Sequence, residues 1–255
     1  MKFRLKIALK NFVARFGVGF TKGVLDFPTL YNLFYHLKKD GIEIEVVYDI
    51  GAFQGNWAKE VKALQKKASL YLFEANPACS PHLTSTGFPF FIRLLGSETR
   101  RVKFYSRNET GDSIFPQYEE TGTQRKDFTY LEMHPLDSVV TEFDLPSPDM
   151  IKIDAQGSEL EILKGCQQTL QSAKVVLLEC PILSINFGSP KLEEYLDFMI
   201  TRNFVPYFLS QVHVWHGILV EIDIAFVRKE LFEELVHPLD KVGFWKALSK
   251  ERDEG

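Results

Sequence analysis

The chain has 255 residues, of which 45% are hydrophobic and 25% charged. That balance excludes wholesale disorder and fibrous architectures, and the length suits one α/β domain of ordinary size. Thirty-four acidic against 30 basic side chains give a net charge of −4, which argues against a nucleic-acid binder.

Cys79, Cys166 and Cys180 form no C-x-x-C pair, so neither a disulfide framework nor a zinc ribbon has its ligands. Lys6, Lys10 and Arg15 interrupt what would be the apolar core of a signal peptide. No stretch approaches the roughly 20 apolar residues that span a bilayer. The expected location is the cytoplasm.

Along the chain, residues 1–25 carry Lys2, Arg4, Lys6, Lys10, Arg15 and Lys22 and no acid, with Leu5, Leu9, Phe12 and Phe16 at helical spacing. This predicts a basic amphipathic helix, packed on the protein's own core or, through residues 1–22, resting on an anionic membrane surface. A second helix is expected over 26–40, so 1–40 forms a helical extension to a domain over 41–255. Glu45–Ile50 is a short buried strand, followed by a glycine turn and a helix with Trp57, Val61 and Leu64 on one face. Ser69–Phe73 and Phe88–Leu95 are the next strands, with a short helix after Pro77. This alternation predicts right-handed crossovers and a parallel sheet.

Residues 98–135 break the rhythm. Val102–Ser106 and Phe128–Met133 read as strands around a long polar span, the kind of loop that serves as a lid or binding loop or else is disordered. A helix is expected at Leu136–Phe143, then the strand Met150–Asp154, one helix over Ser158–Leu170 and the strand Lys174–Glu179. Another helix runs from Ser189 through Arg202. Val205–Leu209, Val212–Trp215 and Leu219–Val227 are strands with short connections, so part of the C-terminal end must be antiparallel.

Four strand ends carry acids that point to chemistry. Asp49-Ile50-Gly51-Ala52-Phe53-Gln54-Gly55-Asn56 closes a strand with an acid and opens a helix through two glycines. Glycines let a ligand approach the backbone, and the helix N-terminus offers free N–H donors. G-x-G-x-x-G is absent, and an anionic side chain at the turn repels a pyrophosphate and attracts a cation. The sulfonium and ammonium of S-adenosylmethionine fit that preference better than NAD. Glu74 ends the next strand, where a carboxylate can accept both hydroxyls of a nucleoside ribose. Asp154 ends a third, in Ile151-Lys152-Ile153-Asp154-Ala155-Gln156-Gly157-Ser158-Glu159, and Glu179 ends a fourth. In an open α/β sheet these acids share one crevice.

At these residues the chain resembles the FkbM-type family of S-adenosylmethionine-dependent methyltransferases, from Val46 to about Cys180. The resemblance is carried by Asp49-Ile50-Gly51-Ala52-x-x-Gly55, Phe73-Glu74, Leu95-Gly96-Ser97, Leu136-Asp137 and the block Lys152–Glu159. Phe53, Ala75 and Gly96 depart from the family pattern. The resemblance implies a class I methyltransferase fold, a Rossmann-like, mostly parallel seven-stranded sheet with an antiparallel C-terminal strand. It implies cofactor contacts at Asp49, Gly51, Ala52, Gly55, Asn56, Glu74, Ala75, Ser97 and Asp154.

It also implies O-methylation of a sugar, glycan or small hydroxylated metabolite. A hydroxyl acceptor needs a base; the candidates are Asp154, then Glu159, then His134. A divalent cation on Asp154 and Glu179 is another route that the spacing does not require. Tyr105, Asp112, Tyr118, Tyr207 and Trp215 are candidate sugar contacts. Two other readings stand beside this one, an N-methyltransferase and a membrane-surface or assembly component that keeps the fold without turnover.

Overall fold

The computed structural model describes residues 27–106, 111–117, 126–183 and 186–236. The basic helix expected over residues 1–25, and with it the membrane contact, lies outside the described residues.

The first described helix, α1 (Leu30–Lys39), starts where the Thr29 side chain accepts a hydrogen bond from the Asn32 N–H. Its buried face is Leu33, Phe34 and Leu37. The chain then alternates through β1 (Val46–Ile50), α2 (Asn56–Leu64), β2 (Ser69–Glu74), α3 (Ser80–Thr86) and β3 (Phe90–Ile92). Next come β4 (Leu94–Leu95), β5 (Arg100–Phe104), β6 (Thr129–His134) and α4 (Leu136–Glu142). The alternation resumes with β7 (Met150–Ile153), α5 (Glu159–Lys164), α6 (Gln167–Ser172), β8 (Val175–Pro181) and α7 (Leu192–Ile200). It closes with β9 (Phe204–Trp215), β10 (Ile218–Arg228) and α8 (Lys229–Val236).

Seven strands form one sheet in the order β3-β2-β1-β7-β8-β10-β9. The first five run parallel, while β10 is antiparallel to both β8 and β9. Both faces are covered, as a parallel sheet requires. Tyr48, Ile50, Phe73, Ile151, Ile153 and Leu178 point into one apolar layer. Val47, Leu72, Met150 and Leu177 point into the other, where Leu33, Phe34, Leu37, Ala58 and Val61 meet them. The strand order reverses between β1 and β7, which opens a crevice beyond their C-terminal ends. Among the described residues, no helix is long and apolar enough to cross a membrane.

Three expectations are corrected. Phe88–Leu95 is not one strand: β3 belongs to the large sheet, and β4 joins a second sheet of order β4-β6-β5. The break falls at Arg93, whose guanidinium pairs with Glu142 while its N–H donates to the Glu74 carbonyl. The helix over Ser158–Leu170 is two, α5 and α6, separated at Gly165–Cys166. Gly165 lies so close to the Gly96 carbonyl that a Cβ there would stand 1.9 Å from its oxygen, and the chain breaks to admit this contact. Val205–Leu209 and Val212–Trp215 are one continuous strand, β9, kept paired to β10 by register shifts instead of a turn.

Candidate active site

The site begins with two strands in register. Asp49 on β1 stands opposite Lys152 on β7, both on the face that carries Val47 and Met150. Asp49 is wholly buried and Lys152 nearly so, and their Oδ1 and Nζ lie 3.1 Å apart. Lys152 also reaches the Asp154 Oδ2 at 3.3 Å and donates to the Gly51 carbonyl at 3.2 Å. One ammonium thus ties two strand-end acids and a glycine turn. Burial disfavours its charge, but Asp154 and Asp49 outweigh burial and hold the Lys152 amine above its usual range. Burial pushes the Asp49 carboxyl up, and Lys152 only partly offsets this. Asp49 Oδ2 has no hydrogen-bond partner among the described residues.

Glu74 is fixed differently. Its two oxygens accept the backbone N–H groups of Phe53 (2.7 Å) and Asn76 (2.8 Å), which aims the carboxylate along the rim of β2. Burial pushes its pKa up against these bonds. Each oxygen keeps acceptor capacity for a ligand hydroxyl.

Beyond β7 the acids gather. Gln156 donates from one amide nitrogen to Glu179 Oε2 (2.7 Å) and Asp154 Oδ1 (3.2 Å). Gln156 has a left-handed backbone, φ 53°, held because its carbonyl accepts hydrogen bonds from Ser113 and Asn186. Burial drives the Asp154 carboxyl up, yet the charge of Lys152 and the hydrogen bonds from Gln156 and Lys152 prevail and hold it below its ordinary value. Burial first, then the charges of Asp154 and Glu221, push Glu179 up to about 11. Burial and the neighbouring acids thus favour the protonated form of Glu179.

Glu74, Asp154, Gln156 and Glu179 line one crevice of about 450 Å³. Its wall includes Gly51, Phe53, Glu74 and Ala75 toward β1 and β2, and Asp154, Gln156, Glu179, Glu221 and His213 toward β7–β10. Asp112, Ser113 and Gln117 of the middle segment also line it. Among the described residues, no group of three or more His, Cys, Asp or Glu side chains is placed to hold a metal ion.

The sequence candidates divide accordingly. Gly51, Glu74, Ala75 and Asp154 reach the crevice, and Glu179 with them. Asp49 lies behind it, acting on the turn through Lys152. Gly51 cannot be replaced: its φ is +74°, and a Cβ would stand 1.8 Å from the Asp154 carbonyl oxygen. Ala52, Gly55, Asn56 and Ser97 are not brought to the wall. Gly55 packs toward α3, where a Cβ would meet Thr86 at 2.7 Å. Asn56 is exposed, and the Ser97 hydroxyl donates to Glu161.

Two of the three base candidates also lie elsewhere. Glu159 is wholly buried and holds the turn before α5, accepting from the N–H groups of Ala155 (2.8 Å) and Gly157 (3.1 Å) and from the Tyr195 hydroxyl (2.5 Å). Burial raises its pKa against those bonds. His134 ends β6 in the small sheet, 3.5 Å from Glu132.

Of the sugar-contact candidates, Asp112 reaches the crevice; Tyr207 instead donates to Asp40, Trp215 is exposed on β9, and Tyr118 lies outside the described residues. Sequence reasoning gave no role to Lys152 or Glu221. The signal was present: a lysine inside the apolar run MIKID, and two acids inside LVEIDIAFV.

A parallel sheet with a reversal at β1/β7, acids at successive strand ends and an antiparallel β10 is the architecture of a class I S-adenosylmethionine-dependent methyltransferase. Residues 49–206 match the family model of the methyltransferase FkbM domain, and the chain belongs to that family. The 2-O-methyltransferase NoeI of Sinorhizobium fredii is 24% identical over 227 residues, covering 82% of this chain and 91% of the relative. The hexuronic acid methyltransferase AglP of Haloferax volcanii is 27% identical over 148 residues, covering 56% and 59%. Among solved structures, the plantazolicin methyltransferase BamL matches over 78% of this chain and 82% of that one, with 8% identity and a TM-score of 0.48.

Proposed function

We propose that the protein transfers the methyl group of S-adenosylmethionine to a hydroxyl of a sugar ring. The observation that carries this reading is the division of one crevice between Glu74, aimed by two backbone N–H groups, and the Asp154–Gln156–Glu179 network. Glu74 suits the paired hydroxyls of a ribose, and the second half leaves room for an acceptor past β7. The crevice volume falls within the roughly 300–1,000 Å³ of ligand pockets. The relatives' names support a hydroxylated, sugar-type acceptor: one specifies a 2-O position, the other a hexuronic acid.

The cofactor, when bound, supplies an electrophilic methyl group on a sulfonium. The chain's residues then have three tasks. Glu74 orients the nucleoside, and the Gly51 turn sets how closely it approaches the backbone. The crevice wall excludes water and aligns the acceptor oxygen, which is where most of the rate comes from in such a displacement. Asp154 takes the hydroxyl proton. Lys152 and Gln156 keep it ionised, and its side chain is 38% exposed, so it is accessible from the crevice. A carboxylate of low pKa is a weak base, but it suffices because the hydroxyl proton becomes strongly acidic as the new C–O bond forms.

Titration calorimetry with S-adenosylmethionine and S-adenosylhomocysteine tests the cofactor. Mass spectrometry of simple glycosides incubated with the full chain tests the reaction. An O-methylated product is the expected outcome; absence of binding by both adenosyl compounds refutes the reading.

A further inference from the structure

We propose that the acceptor's sugar ring is uncharged, so that hydroxyls and not a carboxylate face Asp154 and Glu221. This deepens the sugar-methylation reading and rests on it. The acids on the crevice wall are Glu74, Asp112, Asp154, Glu179 and Glu221. Among the described residues, the basic side chains on that wall are Arg93 and His213. Neither is uncommitted. Arg93 lies on the Glu74 side, 3.2 Å from Glu142 and against the Phe143 ring. His213 stands opposite Glu221 in the β9–β10 register, 3.6 Å from its carboxylate.

The Lys152 ammonium is enclosed between Asp49, Asp154 and the Gly51 carbonyl. Behind the wall, Asp223 pairs in register with Glu179, and its Oδ1 is buried with no hydrogen-bond partner among the described residues. A uronate brought to the Asp154–Glu221 end would meet the carboxyl groups of Asp154 and Glu221 and, among the described residues, no uncommitted cation; Glu179, which burial holds toward its protonated form, adds no repulsion. Like charges in a partly desolvated crevice repel far more strongly than in water.

A neutral ring meets the same groups favourably. Carboxyl groups there offer acceptor sites for adjacent ring hydroxyls, and Gln156 occupies only part of the capacity of Asp154 and Glu179. Selection against the charged ring works by repulsion as much as by attraction.

The test uses matched pairs that differ only at C6: methyl glucoside against methyl glucuronide, and methyl galactoside against methyl galacturonide. Binding to the full chain in the presence of S-adenosylhomocysteine is measured at pH 7.5. At least one neutral member is expected to bind tenfold or more tighter than its uronide, with Glu221→Gln narrowing the gap by strengthening the uronide. Equal or tighter binding of the uronides overturns the inference and leaves methyl transfer standing. Binding of S-adenosylhomocysteine with none of the four sugars overturns the sugar acceptor and this inference together. Failure of S-adenosylhomocysteine to bind refutes the methyl-transfer reading itself.

Discussion

The two ends of the crevice hold their carboxylates by different means. At the β2 end, backbone N–H groups of Phe53 and Asn76 grip Glu74. At the β7–β10 end, side chains hold side chains: Gln156 bridges Asp154 and Glu179, and His213 stands by Glu221. A backbone grip survives any substitution that keeps the turn. A side-chain network can be retuned one residue at a time. The first end therefore presents one fixed geometry, and the second can be retuned in charge and shape.

The largest expected effect comes from removing the joint between the ends. Lys152→Met leaves Asp49 buried without its ammonium. Denaturant unfolding should show a loss of about 3–5 kcal/mol. The deficit should shrink at acid pH, where Asp49 takes up a proton. A stability loss that does not change with pH would mean that the charge of Asp49 is not what Lys152 compensates.

Glu74→Gln comes next and addresses the backbone-held end alone. Calorimetry should show cofactor affinity weaker by about 1–3 kcal/mol with the fold intact by circular dichroism. Unchanged affinity would remove Glu74 from the cofactor site.

Glu179→Gln should act in the opposite sense, on stability. The carboxyl of Glu179 is raised from 4.5 to about 11, so the native chain keeps a proton that the unfolded chain releases. Stability contributed there is present at low pH and is lost as pH climbs from about 4.5 toward 11. Glutamine keeps the neutral form throughout. The Tm advantage of the variant should grow between pH 5 and pH 9, reaching a few degrees, on the scale of about 2–4 °C per kcal/mol. A constant difference would show that Glu179 is ionised in the native protein. The smallest effect is expected for Asn56→Ala: an exposed side chain off the crevice wall should change cofactor affinity by less than about 0.5 kcal/mol.

Glu74, Asp154 and Glu179 were legible in the sequence because each closes an apolar strand run, and a parallel sheet sends such residues to one rim. The parallel sheet was legible from alternating strand and helix runs and the antiparallel end from the short connections after Val205, while the count of seven strands came from the family resemblance. Glu159 was misplaced because its hydroxyl partner, Tyr195, lies on a different helix that no local pattern links to it. His134 was misplaced because the run Phe88–Leu95 gives no sign that the chain changes sheets at Arg93. The helix break at Gly165 depends on Gly96, which only the folded chain brings alongside. Long-range contacts decide each of these, and periodicity reports only local ones.

The close passage of Gly51 beneath the Asp154 carbonyl, with 1.8 Å left for any Cβ, has a consequence for descent and for protein engineering. The turn after β1 and the turn after β7 are one mechanical part made from two distant stretches of chain. Neither can be transplanted or allowed to drift alone, since a side chain added to one displaces the backbone of the other. A lineage that keeps Asp154 at its post must therefore inherit the bare α-carbon of residue 51 along with it.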